Sequence, residues 1–299
     1  MPSIWAIGLA AGAGRRLASV TNGVPKQFWR PDGGHSLIEE TLVRLEELAV
    51  PDRVLTVVDR SHRRYVQALP QQWRLGHVVY QPMDRGTAAG VILPLAMVLA
   101  ADPQAIVVVT PADHGVGDDA RFRLGIEDAI GAIDAGGAEI VLFGVEPTEA
   151  ARDYGWITAA TPLASFRRLR SVVAFVEKPP IRDARKLLRA GSVWNTMVLV
   201  AKATALFEGY VRHLPELAKV FSAFRSVRLS EREAFLASIY ADLPVADFSG
   251  DLLTHVAGLS LYTWPHEMGW LDLGTPERLS RWLASATPQT PVRTAALTA

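Results

Sequence analysis

Short apolar runs without charge alternate with longer amphipathic segments through the first half of the chain. Because aliphatic and β-branched residues dominate the runs, and glycine, proline or polar residues bound them, they are predicted to be buried strands. The predicted strands are residues 4–9, 54–58, 77–80, 105–110 and 139–145, and the predicted helices are residues 36–49, a segment ending at 65, 87–101 and 121–135. This alternation predicts an α/β fold with a doubly wound, mostly parallel, Rossmann-like mixed sheet flanked by helices.

The pattern changes after residue 145. Extended segments are predicted at 154–157 and 171–176, strands at 193–200 and 259–264, and helices at 181–190, at several places up to 240, and at 275–283. Since no repeat or low-complexity linker separates the halves, we expect one domain over residues 1–283, with residues 146–283 extending the sheet. The remaining residues, 284–299, are rich in Thr, Pro and Ala and are expected to form a disordered tail.

Composition narrows the choice of partners and location. The 31 basic and 31 acidic residues balance, which argues against binding to nucleic acid or an anionic membrane by bulk charge. The absence of cysteine excludes disulfides, thiolate zinc sites and cysteine nucleophiles. No basic segment precedes a long apolar run at the start, and no stretch approaches the ~18 apolar residues of a spanning helix. A cytoplasmic location is therefore expected.

The first predicted strand ends in a loop of small residues that cations follow. Gly12 and Gly14 let backbone N–H groups approach an anion closely, and Arg15, Arg16 and Lys26 add positive charge nearby. The combination predicts a polyphosphate site. It is neither of two common nucleotide-binding loops, because the third glycine of the dinucleotide fingerprint is absent and no Gly-Lys-Ser/Thr sequence follows.

Two further polar clusters follow predicted strands, at residues 81–87 and 111–114. Ligands of doubly wound sheets bind beyond the carboxyl ends of the strands, so both clusters and the loop are expected to border one site. Asp113 follows an uncharged strand, where a carboxylate is costly unless solvated, paired or bound to a cation, and Asp272 also has apolar neighbours. Two such acids suit Mg²⁺, which takes few protein ligands, although either could instead cap a helix or pair with an arginine.

Seven motifs occur in order along residues 4–283. Besides the opening loop with Pro25-Lys26-Gln27-Phe28, they are Asp84-Arg85-Gly86-Thr87-Ala88, Pro111-Ala112-Asp113-His114, Phe143-Gly144-Val145 before Tyr154-Gly155, Phe175-Val176-Glu177-Lys178-Pro179, Trp194-Asn195 and Gly269-Trp270-Leu271-Asp272-Leu273-Gly274. In this order they resemble the motifs of sugar-1-phosphate nucleotidylyltransferases, and most closely those of mannose-1-phosphate guanylyltransferases. The resemblance is to a short form, without a cupin-like or β-helical C-terminal extension.

The resemblance implies transfer of a nucleotidyl group from GTP to mannose 1-phosphate, release of pyrophosphate, and Mg²⁺ as cofactor. It implies a nucleotide-binding half (residues 1–145) and a sugar-phosphate-binding half (146–283). The implied catalytic residues are Arg16, Lys26, Asp113 and Asp272, with Asp113 and Asp272 as metal ligands. The implied nucleotide-binding residues are Leu9, Ala10, Ala11, Gly12, Gly14, Arg15, Gln81, Arg85, Gly86 and Thr87, and the implied sugar-phosphate-binding residues are Gly155, Glu177, Lys178 and Asn195.

Adjacent residues of a strand point to opposite faces. Glu177 and Lys178 can therefore both reach one sugar phosphate only where the strand ends or bends, and we expect it to do so there. His114 is expected to be a structural neighbour of the metal site rather than a ligand, because Mg²⁺ prefers oxygen.

The chain departs from the family pattern at several of these positions. Ala10 and Ala11 stand where relatives have glycines, and Gly86 stands where they have asparagine. Arg15 replaces a usual threonine, and it either adds charge beside the phosphates or points to solvent.

Other functions stay open. One glutamine amide can pair with guanine, thymine or uracil, so Gln81 also allows a UTP- or dTTP-using hexose-1-phosphate nucleotidylyltransferase. A non-catalytic nucleotide-sugar-binding sensor is an alternative of another class, and a dinucleotide-dependent oxidoreductase is the weakest. The expected partners are a nucleoside triphosphate and a sugar 1-phosphate, without nucleic acid or membrane, and a homodimer is one open assembly state.

Overall fold

The computed structural model describes residues 2–31, 34–70 and 76–285. Four parallel strands form the first half of its central sheet. They are β1 (Ile4–Ala10), β2 (Val54–Asp59), β3 (His77–Gln81) and β4 (Ile106–Pro111), in the spatial order β3-β2-β1-β4. The other elements of this half are α1 (Leu37–Glu46), α2 (Arg63–Ala68), α3 (Gly86–Ala101), the short strand β5 (His114–Gly115) and α4 (Asp119–Asp134). The predicted alternation of strands and helices is confirmed, with small shifts at the ends.

Five more strands complete a nine-stranded sheet. They are β6 (Ile140–Val145), β7 (Trp156–Pro162), β8 (Leu169–Val176), β9 (Val193–Lys202) and β10 (Ser260–Trp264), and the order continues from β4 through β9, β6, β10 and β8 to β7. Only β8 and β9 run opposite to the other seven strands of this sheet. The expected α/β fold with a mostly parallel mixed sheet is confirmed.

The remaining elements of the second half are α5 (Ile181–Arg189), α6 (Ala203–His213), α7 (Pro215–Phe224), α8 (Arg232–Ile239), β11 (Leu271–Asp272) and α9 (Pro276–Ser285). Two features have no counterpart in the sequence pattern. β11 pairs antiparallel with β5, and a π-helical turn covers Phe248–Leu253. Both are too short to produce a hydrophobic period, so only the folded chain shows them.

Helices cover both faces of the sheet. On one face, α3 packs against β1 and β2, α6 packs against β9, and α7 packs on α3 and α6. On the other face, α4 packs against β4 and β6, while α1 packs against β1. α3 carries no charged residue and is buried along most of its length, as its composition predicts.

The described residues test only some of the boundaries that the sequence predicts for the domain, its two halves and the tail. α9 continues two residues beyond the expected helix end at residue 283, and the predicted disorder of the tail from residue 286 onward lies outside the described residues. Strands from both sides of residue 145 share one sheet, and the division into two halves stays a prediction. Among the described residues, no helix is long and apolar enough to cross a bilayer.

Two glycines of α4 provide a matched test of its packing on β10. A Cβ at Gly125 would lie 2.7 Å from Nε1 of Trp264 and 3.1 Å from Cε1 of Tyr262, whereas nothing lies within 4 Å of a Cβ at Gly131. Gly125→Ala is therefore expected to lower the free energy of unfolding by about 1–3 kcal/mol through overpacking. Gly131→Ala is expected to raise it by up to about 1 kcal/mol, because alanine favours the helix. Urea unfolding measures the free energy of unfolding of both variants. An equal change in the two variants would contradict the packing of α4 on β10.

Candidate active site

A cavity of about 460 Å³ opens beyond the carboxyl ends of the parallel strands. Leu9, Asp59, Gln81 and Pro111 reach it from the ends of β1, β2, β3 and β4, respectively. The loop after β1 and residues of the second half form its other walls. This cavity thus lies where the sequence predicts the site, at the carboxyl edge of the sheet.

Gln27 holds the small-residue loop in place. Its Nε2 donates to the carbonyl oxygen of Ala10 at 2.7 Å and to that of Gly12 at 2.9 Å. Gly14 has a φ of +62°, and a Cβ there would lie 3.0 Å from the backbone nitrogen of Lys26. Glycine is therefore needed at this turn both for its left-handed conformation and for the close approach.

Arg15 and Arg16 are both exposed and line a second cavity of about 390 Å³, which also borders Gly12 and Gly14. Arg16 lines the main cavity as well. Its Nη2 atom lies 3.0 Å from the place of a Cβ on Gly274, beside the Asp272 carboxylate. The structure thus places Arg16 near Asp272 and Arg15 at the second cavity.

Lys26 lies between the two predicted metal ligands. Its Nζ is 3.1 Å from Oδ2 of Asp113 and 3.2 Å from Oδ1 of Asp272, and Lys26 is only 7% exposed. Burial by itself would lower the pKa of Lys26, but the two carboxylates outweigh it, and the pKa is raised. Burial would raise the pKa of Asp272, but the charges of His114, Lys26 and Arg278 keep it below its usual value. Lys26 and Asp272 therefore stay ionised near neutral pH.

His114 completes this cluster as a neighbour of both acids. Pairing of β5 with β11 sets His114 opposite Asp272, and its Nε2 lies 3.6 Å from Oδ1 of Asp113 and 3.8 Å from Oδ1 of Asp272. The edge of the ring packs on Trp270 with centroids 5.2 Å apart. Burial lowers the pKa of His114, which favours the neutral ring.

Glu177 and Lys178 form the opposite wall, immediately after β8 ends at Val176. The backbone bends there, since Lys178 has a φ of +44°, and both side chains line the cavity. The predicted end or bend of the strand is confirmed. Oε1 of Glu177 lies 2.9 Å from Nζ of Lys178, while Oε2 is buried without a hydrogen-bond partner among the described residues. Burial raises the pKa of Glu177, and Lys178 opposes the shift.

Asn195 and Gly155 lie beside this pair. The Asn195 backbone N–H donates to the Gly155 carbonyl at 2.8 Å, and Nδ2 of Asn195 lies 3.2 Å from Oγ of Ser249. A Cβ on Gly155 would overlap Oε2 of Glu177, so glycine leaves room for that carboxylate in its present position. The four predicted sugar-phosphate residues are thus brought together.

The loop at residues 84–88 is bound to a segment that the sequence did not point to. Gly86 has a φ of +80°, and a Cβ there would overlap the carbonyl oxygen of Ala246. Oγ1 of Thr87 lies 3.2 Å from Oδ2 of Asp247 and accepts from the Phe248 N–H at 2.7 Å. Gly86, Thr87 and the buried Gln81 all line the cavity.

The guanidinium of Arg85 contacts backbone carbonyls of a distant segment. Its Nε donates to the carbonyl oxygen of Tyr240 at 2.7 Å, and its Nη2 donates to that of Ala241. The guanidinium therefore ties the loop to the chain after α8, and the structure does not bring it to the lining of the main cavity. Ala10 is buried and contributes its carbonyl to Gln27. The binding roles assigned to these two residues stay predictions.

Several lining residues were missed by the sequence reasoning, notably Asp59, Asp153, Asp247 and Ser249. Asp153 directly precedes the Tyr-Gly motif, which is the only signal that could have found it. Asp247 and Ser249 are delivered by the π-helical turn, a feature that is frequent at functional sites but leaves no sequence pattern.

The metal-binding capacity of the site rests on two carboxylates. Within residues 2–31, 34–70 and 76–285, no group of three or more His, Asp or Glu side chains is arranged as a metal centre. Asp113 and Asp272 nevertheless offer hard oxygen donors to one shared cation, the Lys26 ammonium. Such a pair fits Mg²⁺, which completes its shell with water and phosphate oxygens.

Replacing Lys26 by methionine tests what this cation contributes. Because the pKa of Asp272 is lowered, its carboxylate stabilises the wild type above the unfolded-state pKa of about 4, and the contribution is lost as the pH falls through the folded value. Without Lys26 the ionised acids repel each other, so Lys26→Met should cost about 2–3 kcal/mol at pH 8 and less at pH 4.

Urea unfolding at the two pH values measures the difference. Lys219→Met, at an exposed lysine of α7, is the matched control and should change little at either pH. An equal loss at pH 8 and pH 4 for Lys26→Met would contradict the charge argument.

Comparison with known proteins agrees with the geometry of the site. The chain is 28% identical over 284 residues to a mannose-1-phosphate guanylyltransferase of Sinorhizobium fredii, covering 92% of this chain and 54% of that protein. It is 27% identical over 272 residues to the alginate biosynthesis protein AlgA of Pseudomonas fluorescens, covering 89% and 55%. The chain thus spans about half the length of these curated relatives.

Solved structures share the fold. A crystal structure named as a mannose-1-phosphate geranyltransferase of Thermus thermophilus matches with a TM-score of 0.80 and 28% identity, covering 97% of this chain and 80% of that one. A putative glucose-1-phosphate thymidylyltransferase of Bacillus anthracis matches with a TM-score of 0.59 at 18% identity, covering 96% and 97%, and shows the fold alone. The family model described as "Nucleotidyl transferase" matches residues 5–287. The chain therefore belongs to the nucleotidyl transferase family.

Proposed function

We propose that the chain transfers a guanylyl group from GTP to mannose 1-phosphate, forming GDP-mannose and pyrophosphate. The observation that carries the proposal is that one cavity has a cationic and acidic wall at Lys26, Asp113 and Asp272, and a separate carboxylate–ammonium wall at Glu177 and Lys178. With a divalent cation held by its two carboxylates, the first wall would suit a triphosphate, and the second wall suits a hydroxylated phosphate ester. The names of the relatives support GTP and mannose 1-phosphate as the pair.

The nucleotide lies in this proposal along the carboxyl edge of the parallel strands. Gln81 pairs its amide with the base, while the loop from Leu9 to Gly14 offers backbone N–H groups to the phosphates. Arg16 and Lys26 offset the negative charge that develops on the departing pyrophosphate and the α-phosphoryl group. Ala10 and Ala11 still serve, because backbone groups rather than side chains do this work.

The sugar phosphate lies against the second wall. Oε2 of Glu177, which lacks a hydrogen-bond partner in the part of the chain that the structure describes, accepts a hydrogen bond from a sugar hydroxyl, and the Lys178 ammonium pairs with the phosphate. Asn195 and the Gly155 backbone border the same position.

The reaction needs alignment more than covalent chemistry. An oxygen of the sugar phosphate attacks the α-phosphorus, a new O–P bond forms, and the bond from the α-phosphorus to the bridging oxygen of pyrophosphate breaks. The protein holds the two anions in line and offsets their repulsion. Asp113 and Asp272 would hold Mg²⁺, which supplies further neutralisation of phosphate charge when bound.

The Gln81 amide does not by itself select one base. The amide of Gln81 fits guanine, uracil and thymine, and the guanidinium of Arg85 is engaged with backbone carbonyls. UTP- or dTTP-dependent transfer is therefore distinguished from GTP-dependent transfer by measuring pyrophosphate release with each nucleotide. The homodimer and the cytoplasmic location stay predictions.

A matrix of nucleoside triphosphates and sugar 1-phosphates tests the activity directly. With Mg²⁺, pyrophosphate release is expected to be fastest for GTP with mannose 1-phosphate. Faster release with UTP or dTTP would reassign the base. Binding of a nucleotide sugar without pyrophosphate release for any pair would favour a sensor.

Substitution of the acids tests their metal role. Asp113→Asn and Asp272→Asn are each expected to lower kcat by at least about 100-fold, because the charge that holds Mg²⁺ is lost, while nucleotide still binds. Pyrophosphate release and calorimetric nucleotide binding measure the two effects. Asp134→Asn, at an exposed acid of α4, is the control. Full turnover in both site variants would remove the metal assignment.

A further inference from the structure

Arg278 connects the two walls of the cavity. It lies in α9, shortly after Asp272, and its side chain is 12% exposed. Nη2 donates to Oδ1 of Asp153 at 2.9 Å, and Nη1 lies 2.6 Å from Oδ2 of Asp153. The same Nη1 lies 3.8 Å from Oδ2 of Asp272. One guanidinium thus faces a carboxylate on each side of the site.

The guanidinium also stacks on the Tyr154 ring, 4.4 Å from its centroid. Tyr154 in turn packs on Trp194 and Trp270, with centroids 4.7 and 5.7 Å away. Arg278 therefore holds the start of the segment 153–155 by an ion pair and by an aromatic contact, while the two tryptophans support the ring.

The backbone of this segment holds the sugar-phosphate wall. The carbonyl oxygen of Tyr154 accepts from the Lys178 N–H at 3.2 Å, and that of Gly155 accepts from the Asn195 N–H at 2.8 Å. Gly155 also makes the space that the Glu177 carboxylate occupies. A displacement of this segment would therefore reach all three side chains assigned to the sugar phosphate.

We propose that Arg278 is a positioning residue, which sets the distance between the wall formed by Glu177 and Lys178 and the two acids Asp113 and Asp272. It clamps Asp153 and Tyr154 to the helix that follows Asp272, so the attacking phosphate oxygen is presented in line with the α-phosphorus. The planar guanidinium of arginine suits this task, because one of its nitrogens donates to the Asp153 carboxylate while its face stacks on the Tyr154 ring. The inference rests on the proposed function, since it takes the Glu177–Lys178 wall as the place of the sugar phosphate.

Steady-state kinetics separates this role from general stabilisation. In Arg278→Ala, the KM for mannose 1-phosphate is expected to rise about tenfold and kcat to fall about 10- to 100-fold, since small misplacements of reacting groups have effects of this size. The KM for GTP should stay within about twofold. Arg278→Lys keeps the charge but loses the planar guanidinium, and should lie between the wild type and Arg278→Ala.

Arg281→Ala, at an exposed arginine of the same helix, is the matched control and should match the wild type. A parallel rise in both KM values, or an equal effect of Arg281→Ala, would overturn the proposal.

Hydrogen exchange provides a readout that does not need turnover. In Arg278→Ala, the amides of Lys178 and Asn195 are expected to exchange faster than in the wild type, whereas amides of β1 and β4 keep their protection. Unchanged protection at Lys178 and Asn195 would overturn the clamp. If the wild type released no pyrophosphate with any substrate pair, the proposed function would fail, while this exchange measurement would still decide the role of Arg278.

Discussion

The ion pairs of Lys26 with Asp113 and Asp272 bring together three parts of the chain that lie far apart in sequence. Lys26 follows the loop after β1, Asp113 follows β4, and Asp272 lies in β11, which its pairing with β5 sets against the same point. The charges depend on one another, because each half-buried carboxylate is stabilised by the ammonium between them. Without this cation the two acids would repel each other, so Lys26 stabilises their close approach.

The mixed sheet explains why the cavity has two chemically different walls. The four parallel strands of the first half end together and deliver small residues, cations and Gln81 to one edge. The second half joins the first through β9, which runs antiparallel to β4. Its polar residues in the cavity lie where strands begin, end or bend. Glu177 and Lys178 follow β8, and Asn195 lies near the start of β9. The segments 153–155 and 246–249 connect these walls through backbone hydrogen bonds and Arg278.

Local signals predicted the position of the cavity at the carboxyl edge of the sheet and one bend in its wall. The adjacent Glu177 and Lys178 indicated that the strand ends or bends there, because this requirement involves only a few neighbouring residues. The sequence did not predict the contacts of residues whose partners lie far away in the chain. The guanidinium of Arg85 binds carbonyls at residues 240 and 241, and Arg278 binds Asp153, although neither sequence position differs from an ordinary exposed arginine.

The sequence by itself determined the order of strands and helices, the fold class, and the main candidate residues, because hydrophobic period, charge and glycine position act over a few residues. Only the tertiary structure decided which of those residues meet and what holds them. The β5–β11 pair, the π-helical turn and the contacts of Arg278 each join segments separated by many residues. Such contacts arise when distant segments pack and pair their buried charges, and no local pattern encodes that geometry.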